Sequence, residues 1–135
     1  MVVRKIVVSW VFAKRSTWWA RWLPLLLAMG VIFFASNQPA ADLPNFGLWD
    51  LGVKKLGHFL AYASLALLAL RAVLDWQRPF LVAGLLVFLY ALSDEFHQMF
   101  TPGRNASLVD VAIDMSGALT CLWLIHRQKL VPQNP

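Results

Sequence analysis

The chain has 135 residues, of which 59% are apolar and only 14% charged. A soluble domain carries about 25% charged residues, so this balance excludes an ordinary globular enzyme and points to one small domain of membrane helices. The formal net charge of +5 does not signal nucleic acid. Most of the basic residues flank apolar segments and no RNA- or DNA-binding motif is present, so no nucleic-acid partner is expected.

Residues 1–17 combine Arg4, Lys5, Lys14 and Arg15 with Trp10. The apolar piece Ile6–Ala13 is too short to span a bilayer. The segment suits a helix lying on an anionic surface; a frayed basic tail is the alternative. The first spanning segment is expected over 18–36, with Pro24 in its first turns. A cleavable signal peptide ending near Pro39-Ala40-Ala41 is a rival reading, opposed by the long basic leader and by Trp10, Trp18 and Trp19. A loop with Pro39, Pro44, Asn45 and Gly47 leads to a second segment over 55–74. The connection Asp75-Trp76-Gln77-Arg78-Pro79 turns the chain into a third, over 80–98. Residues 101–106 make another turn, and a fourth segment runs over 108–127. Residues 128–135 form a polar tail. The predicted fold is an all-α integral membrane bundle of about four helices, in which short connections make the last three antiparallel neighbours. Cys121, the single cysteine, lies inside the last segment and reads as a packing residue.

Lysine and arginine set the orientation. With both termini cytoplasmic, the inner side holds Arg4, Lys5, Lys14, Arg15, Arg21, Arg71, Arg78, Arg127 and Lys129. The outer side holds only Lys54, Lys55 and Arg104, a positive-inside bias. Six acids, Asp42, Asp50, Asp94, Glu95, Asp110 and Asp114, then fall on the outer half.

Depth and direction bring several of these polar residues together. At about 1.5 Å per residue, Asp114 lies roughly 20 Å outward of Arg127, His58 roughly 20 Å outward of Arg71, and Asp94 a little over 20 Å from Pro79. Three ionisable side chains from three helices thus share one level, below the outer face of a hydrocarbon core about 30 Å thick. On helical wheels Lys54, Lys55, His58 and Tyr62 fall within about 100° of arc, and Asp94, Glu95, His97 and Gln98 within about 160°. Ser107, Asp110, Asp114, Gly117 and Cys121 share a narrow stripe whose small members allow close helix approach. The expectation is a polar pocket opening outward, with Asp94 and Glu95 facing Lys55 and His58 on one side and Asp110 and Asp114 on the other. Arg104 stands at its rim.

These residues resemble the VanZ-like family of membrane proteins. The Lys-x-x-His-x-x-x-Tyr run is Lys55, His58 and Tyr62; the Asp-Glu-x-x-Gln run is Asp94, Glu95 and Gln98. A Pro-Gly-Arg turn follows at Pro102, Gly103 and Arg104, then Asp110, Asp114 and Gly117. Ser36-Asn37-Gln38-Pro39 looks like the family's polar exit from its first helix. The match spans roughly residues 36–121. Asp114 stands where the family often has asparagine, and Cys121 where a second glycine is frequent. The resemblance implies a multi-pass protein of the bacterial cytoplasmic (inner) membrane. The family is named for a member linked to resistance to the glycopeptide teicoplanin.

Several functions fit these residues. Lys55 and Arg104 suit a phosphate or carboxylate, so the pocket could bind an envelope lipid or a glycopeptide-related ligand. The ligand set is Lys55, His58, Tyr62, Asp94, Glu95, Gln98, Arg104, Asp110 and Asp114. An enzyme acting on lipid-linked cell-wall precursor phosphates would use Asp94 or Glu95 as base and His58 as acid, with Asp114 a further candidate. A purely structural polar lock would pair Arg104 with Asp110 or Glu95, and His58 with Asp114 or Asp94. Metal binding lacks a ligand-spacing motif and is opposed by Lys55 and Arg104, and four helices are few for a proton-coupled transporter. Neither a metal nor a cofactor is expected. Membrane lipids are the expected partners, with a lipid-linked cell-wall precursor as one candidate.

Overall fold

The computed structural model describes residues 17–127. The expectations for the basic leader and the polar tail lie outside these residues. Four helices form an all-α bundle: α1 Trp18–Ser36, α2 Asp50–Ala72, α3 Pro79–Gln98 and α4 Leu108–Arg127. All four are long and apolar enough to cross a membrane. Leu26, Leu27, Phe34, Leu89 and Leu119 are exposed on the outer surface. That distribution suits lipid, where no water drives apolar side chains inward.

Each boundary has a local cause. The Thr17 hydroxyl accepts from the Ala20 amide at 3.4 Å and caps α1. Pro24 sits inside α1. The helix stops after Ser36, and Pro39 follows. A short 3₁₀ turn at Ala40–Asp42 is tied to the other polar loop by the Ala40 amide, which donates to the Pro102 carbonyl at 3.2 Å. Gly103 there has φ +72°, a left-handed conformation that glycine adopts without strain.

The second helix departs from expectation. It begins at Asp50, not near Lys55, and ends at Ala72. Asp50 accepts the Phe46 amide at 3.2 Å and pairs with Lys54 at 2.7 Å. An acid in the first turn, four residues before a lysine, suits both the helix dipole and i,i+4 pairing. The charges taken as a boundary therefore lie inside the helix. At the other end, Arg78 has φ 56° and precedes Pro79, the first residue of α3.

The core is built largely from small residues. Ala66, Ala69, Ala83, Ala91 and Ala118 are fully buried beside Tyr62, Leu65, Leu70 and Val87. The closest approach is α2 on α4. A Cβ added at Gly117 would stand 2.1 Å from the Phe59 carbonyl oxygen, so the two backbones touch there. The first helix also joins the bundle. The Tyr90 hydroxyl on α3 donates to the Met29 carbonyl on α1 at 2.6 Å, and an Arg21–Asp75 ion pair joins α1 to the α2–α3 turn.

Candidate functional site

The end of the bundle where α1 and α3 finish and α2 and α4 begin is polar. Two loops, residues 37–49 and 99–107, lie there. The ionisable residues sort into three groups that follow from helix packing.

The first group joins α2 to α4. Lys55 Nζ donates to Asp110 Oδ1 at 2.9 Å. One turn deeper, His58 Nδ1 lies 3.0 Å from Asp114 Oδ1. Asp114 is fully buried, whereas the Lys55, Asp110 and His58 side chains are each about a third exposed. The cause lies at Gly117. Its contact with Phe59 brings α4 against α2, and Asp114 and Asp110 sit one and two turns above it on the same stripe.

The second group centres on Asp94. Its Oδ2 accepts from Ser36 of α1 at 2.8 Å, from Gln98 of α3 at 3.1 Å and from Tyr62 of α2 at 3.4 Å. One oxygen thus ties three helices together. Arg104 Nη2 donates to the Gln98 side-chain oxygen Oε1 at 3.0 Å, extending the chain of bonds to the loop. That partner is neutral, so this bond leaves the guanidinium charge uncancelled.

The third group is Glu95. Its Oε2 accepts the Ser107 backbone N–H at 2.7 Å, anchoring the chain where α4 starts. Asp94 Oδ1, Glu95 Oε1 and Asp114 Oδ2 are buried without a hydrogen-bond partner.

A cavity of about 540 Å³ opens beside these groups. Lys54, Lys55, His58, Tyr62, Gln98, Arg104 and Asp110 supply its polar wall, with Ser36. Ile32, Ala35, Leu43, Pro44, Phe46 and Leu51 supply an apolar wall. Asp94, Glu95 and Asp114 do not line it; Asp94 and Asp114 bond residues that do. Asp94 and Glu95, expected to face Lys55 and His58, have no hydrogen bond to either; His58 has the Asp114 partner that the polar-lock reading named, and Lys55 has Asp110. Both α2 residues bond aspartates on α4, because α2 packs most tightly there. His97 turns away from the cavity, bonding the Asn37 side chain at 3.0 Å and packing on Phe33 with ring centroids 4.4 Å apart. Ser36 was part of the motif but not of the expected ligand set, and a hydroxyl ending an apolar helix was its signal.

The arrangement has two chemical capacities. Lys54, Lys55 and Arg104 line the cavity; Lys54 and Lys55 are paired with Asp50 and Asp110, so Arg104, whose bonded partner is neutral, is the cation best placed to meet an anion. His58 Nδ1 is engaged with Asp114 Oδ1, which leaves Nε2 as the ring nitrogen outside that contact. Among the described residues, no cluster of three or more His, Cys, Asp or Glu side chains is placed to hold a metal ion.

Comparison with curated proteins and with solved structures gave no match. A family model described as VanZ/LLP1 matches residues 21–130. That interval includes all the cavity-lining residues and most of the chain, and the protein belongs to the VanZ-like family of membrane proteins.

Proposed function

We propose that this protein sits in the bacterial cytoplasmic (inner) membrane with both termini cytoplasmic, and that its outward-facing cavity holds the anionic headgroup of an envelope lipid. The observation carrying this reading is the mixed lining of the cavity. Lys54, Lys55 and Arg104 line it together with Ile32, Leu43, Pro44 and Phe46, a combination suited to an amphipathic anion. A lipid-linked cell-wall precursor has that chemistry, and teicoplanin resistance is the phenotype to examine first.

Native mass spectrometry of the detergent-solubilised protein tests the ligand. The wild type should carry a phosphate-bearing lipid. Arg104→Ala should carry about tenfold less with its melting temperature little changed, as expected when one charge-assisted contact is removed. A wild type free of such lipid sinks the proposal. Orientation is tested with Arg104→Cys in a Cys121→Ser background; labelling from the cytoplasmic side alone would reverse the topology.

The His58–Asp114 contact favours a second reading, an enzyme acting on lipid-linked cell-wall precursor phosphates. A buried carboxylate that orients an imidazole is a recurrent general-base arrangement. Here His58 would be the base and Asp114 its positioning residue, in place of a base at Asp94 or Glu95. His58→Asn should then keep the bound lipid but fail to complement an envelope phenotype. Full complementation by that variant would leave binding without chemistry.

A further inference from the structure

Two glycines of the membrane-crossing helices, Gly57 and Gly117, occupy opposite situations. A glycine inside a helix costs about 1 kcal/mol relative to alanine, so each position invites a reason. At Gly117 the reason is contact, because the Phe59 carbonyl leaves no room for a side chain. At Gly57, in α2, nothing lies within 4 Å of where a Cβ would stand, and its backbone is not left-handed. Neither packing nor conformation requires glycine there. Gly57 does line the cavity, as do Ala61 one turn deeper and Ile32 and Ala35 of α1. Gly30 and Gly52 are also free of neighbours, but they do not line it.

The position of this wall matters. Gly57 and Ala35 are exposed although both lie in membrane-crossing helices. Both also line the cavity, so an opening between α1 and α2 at this level would meet lipid. Gly57 lies about 20 Å along α2 from Ala72, within a hydrocarbon core about 30 Å thick. The cationic wall of Lys55 and Arg104 faces the same space. A cavity of about 540 Å³ accommodates a headgroup but does not enclose a long hydrocarbon chain.

We propose that Gly57 keeps open a lateral path between α1 and α2 in which the apolar chain of the ligand lies, so that the ligand is a phosphate-bearing lipid drawn from the bilayer and not a water-soluble phosphate. The inference rests on the reading of an anion held at Lys55 and Arg104, and it adds the ligand's route and class. Gly57 acts through the space it leaves. A side chain there fills the path while the bonds of Lys55, His58 and Asp94 stay intact.

The test uses wild type, Gly57→Ala and Gly57→Leu, each titrated in detergent with a polyprenyl phosphate and, separately, with inorganic phosphate. Native mass spectrometry reads occupancy, and thermal melting reads the fold. Both variants should melt no lower than wild type. Gly57→Leu should bind the lipid about tenfold more weakly, with Gly57→Ala between, as expected when bulk is added to a binding path. Inorganic phosphate should bind all three equally and poorly. If Gly57→Leu holds the lipid as well as wild type, the lateral path is wrong while the anion site stands. If inorganic phosphate binds as well as the lipid, the ligand class is wrong and the anion site again stands. If wild type binds neither, the path and the anion reading both fall. Should Gly57→Leu melt lower, Gly57→Ala decides: undiminished lipid binding by a normally folded Gly57→Ala overturns the path.

Discussion

The same helix, α2, forms two seams of opposite construction. Against α4 it is closed by backbone contact at Gly117, with two acid–base pairs stacked above. Against α1 its polar end stands apart, leaving a cavity, and the helices are joined through hydrogen bonds to Asp94. In a bilayer neither seam draws on a water-driven hydrophobic force, so close packing and polar bonds must do the joining. The difference shows which surface is built to stay fixed and which leaves room for something else. A seam closed by backbone contact has no space to give. A seam held at one level by a shared carboxylate keeps its helices in place while leaving a chamber beside it.

The closed seam should be the more fragile under added volume. Gly117→Ala places a methyl 2.1 Å from the Phe59 oxygen, and the helices must separate to accept it. We expect a loss of about 3 kcal/mol, near the upper end of the usual cost of overpacking. Unfolding measured in detergent checks this. A variant melting like wild type would mean that α2 and α4 are not in backbone contact.

The open seam should fail by loss of its acceptor. Asp94→Ala leaves the Ser36, Tyr62 and Gln98 donors without the carboxylate they share. The expected cost is about 2 kcal/mol, from buried donors left unsatisfied. Asp94→Asn keeps a carbonyl oxygen in place and should cost about half as much. Equal stability of the alanine variant and wild type would show that Asp94 does not hold α1 to the bundle.

The two seams were not equally legible in the sequence. Asp110, Asp114 and Gly117 announce a close-packed stripe through their spacing, and the structure uses it that way. Spacing alone could not name the neighbour that each polar face would meet. Asp94 and His97 fall in one fan of the α3 wheel, yet His97 bonds Asn37 while Asp94 gathers Ser36, Tyr62 and Gln98. That choice depends on how far α1 reaches along α3, which no helix period encodes. The start of α2 was obscured differently. Hydropathy treats Lys54 and Lys55 as the edge of an apolar window, whereas Asp50, four residues before Lys54, carries the helix-start signal. The apolar wall at Leu43, Pro44 and Phe46 comes from a loop without periodicity, so its place beside Lys55 and Arg104 emerges only from the fold.

Within the closed seam, depth should grade the two stacked pairs. Lys55 and Asp110 are each about a third exposed. Two partly solvated charges gain little by pairing, so their coupling should be about 0.5 kcal/mol. His58 and Asp114 make a contact of nearly the same length, but Asp114 has no exposure at all. Removing His58 leaves a buried carboxyl oxygen without its partner, and water cannot replace that bond as it can at the rim. Their coupling should therefore be about 1.5 kcal/mol, toward the value for a hydrogen bond to a charged group. Double-mutant cycles decide, with Lys55→Ala and Asp110→Ala for the rim, and His58→Ala and Asp114→Ala below it. Each cycle cancels the effect of truncating either side chain alone and leaves the pair term. Equal couplings would mean that the seam is as wet at Asp114 as at Asp110, and that Asp114 is not shielded enough to hold the imidazole for a ligand.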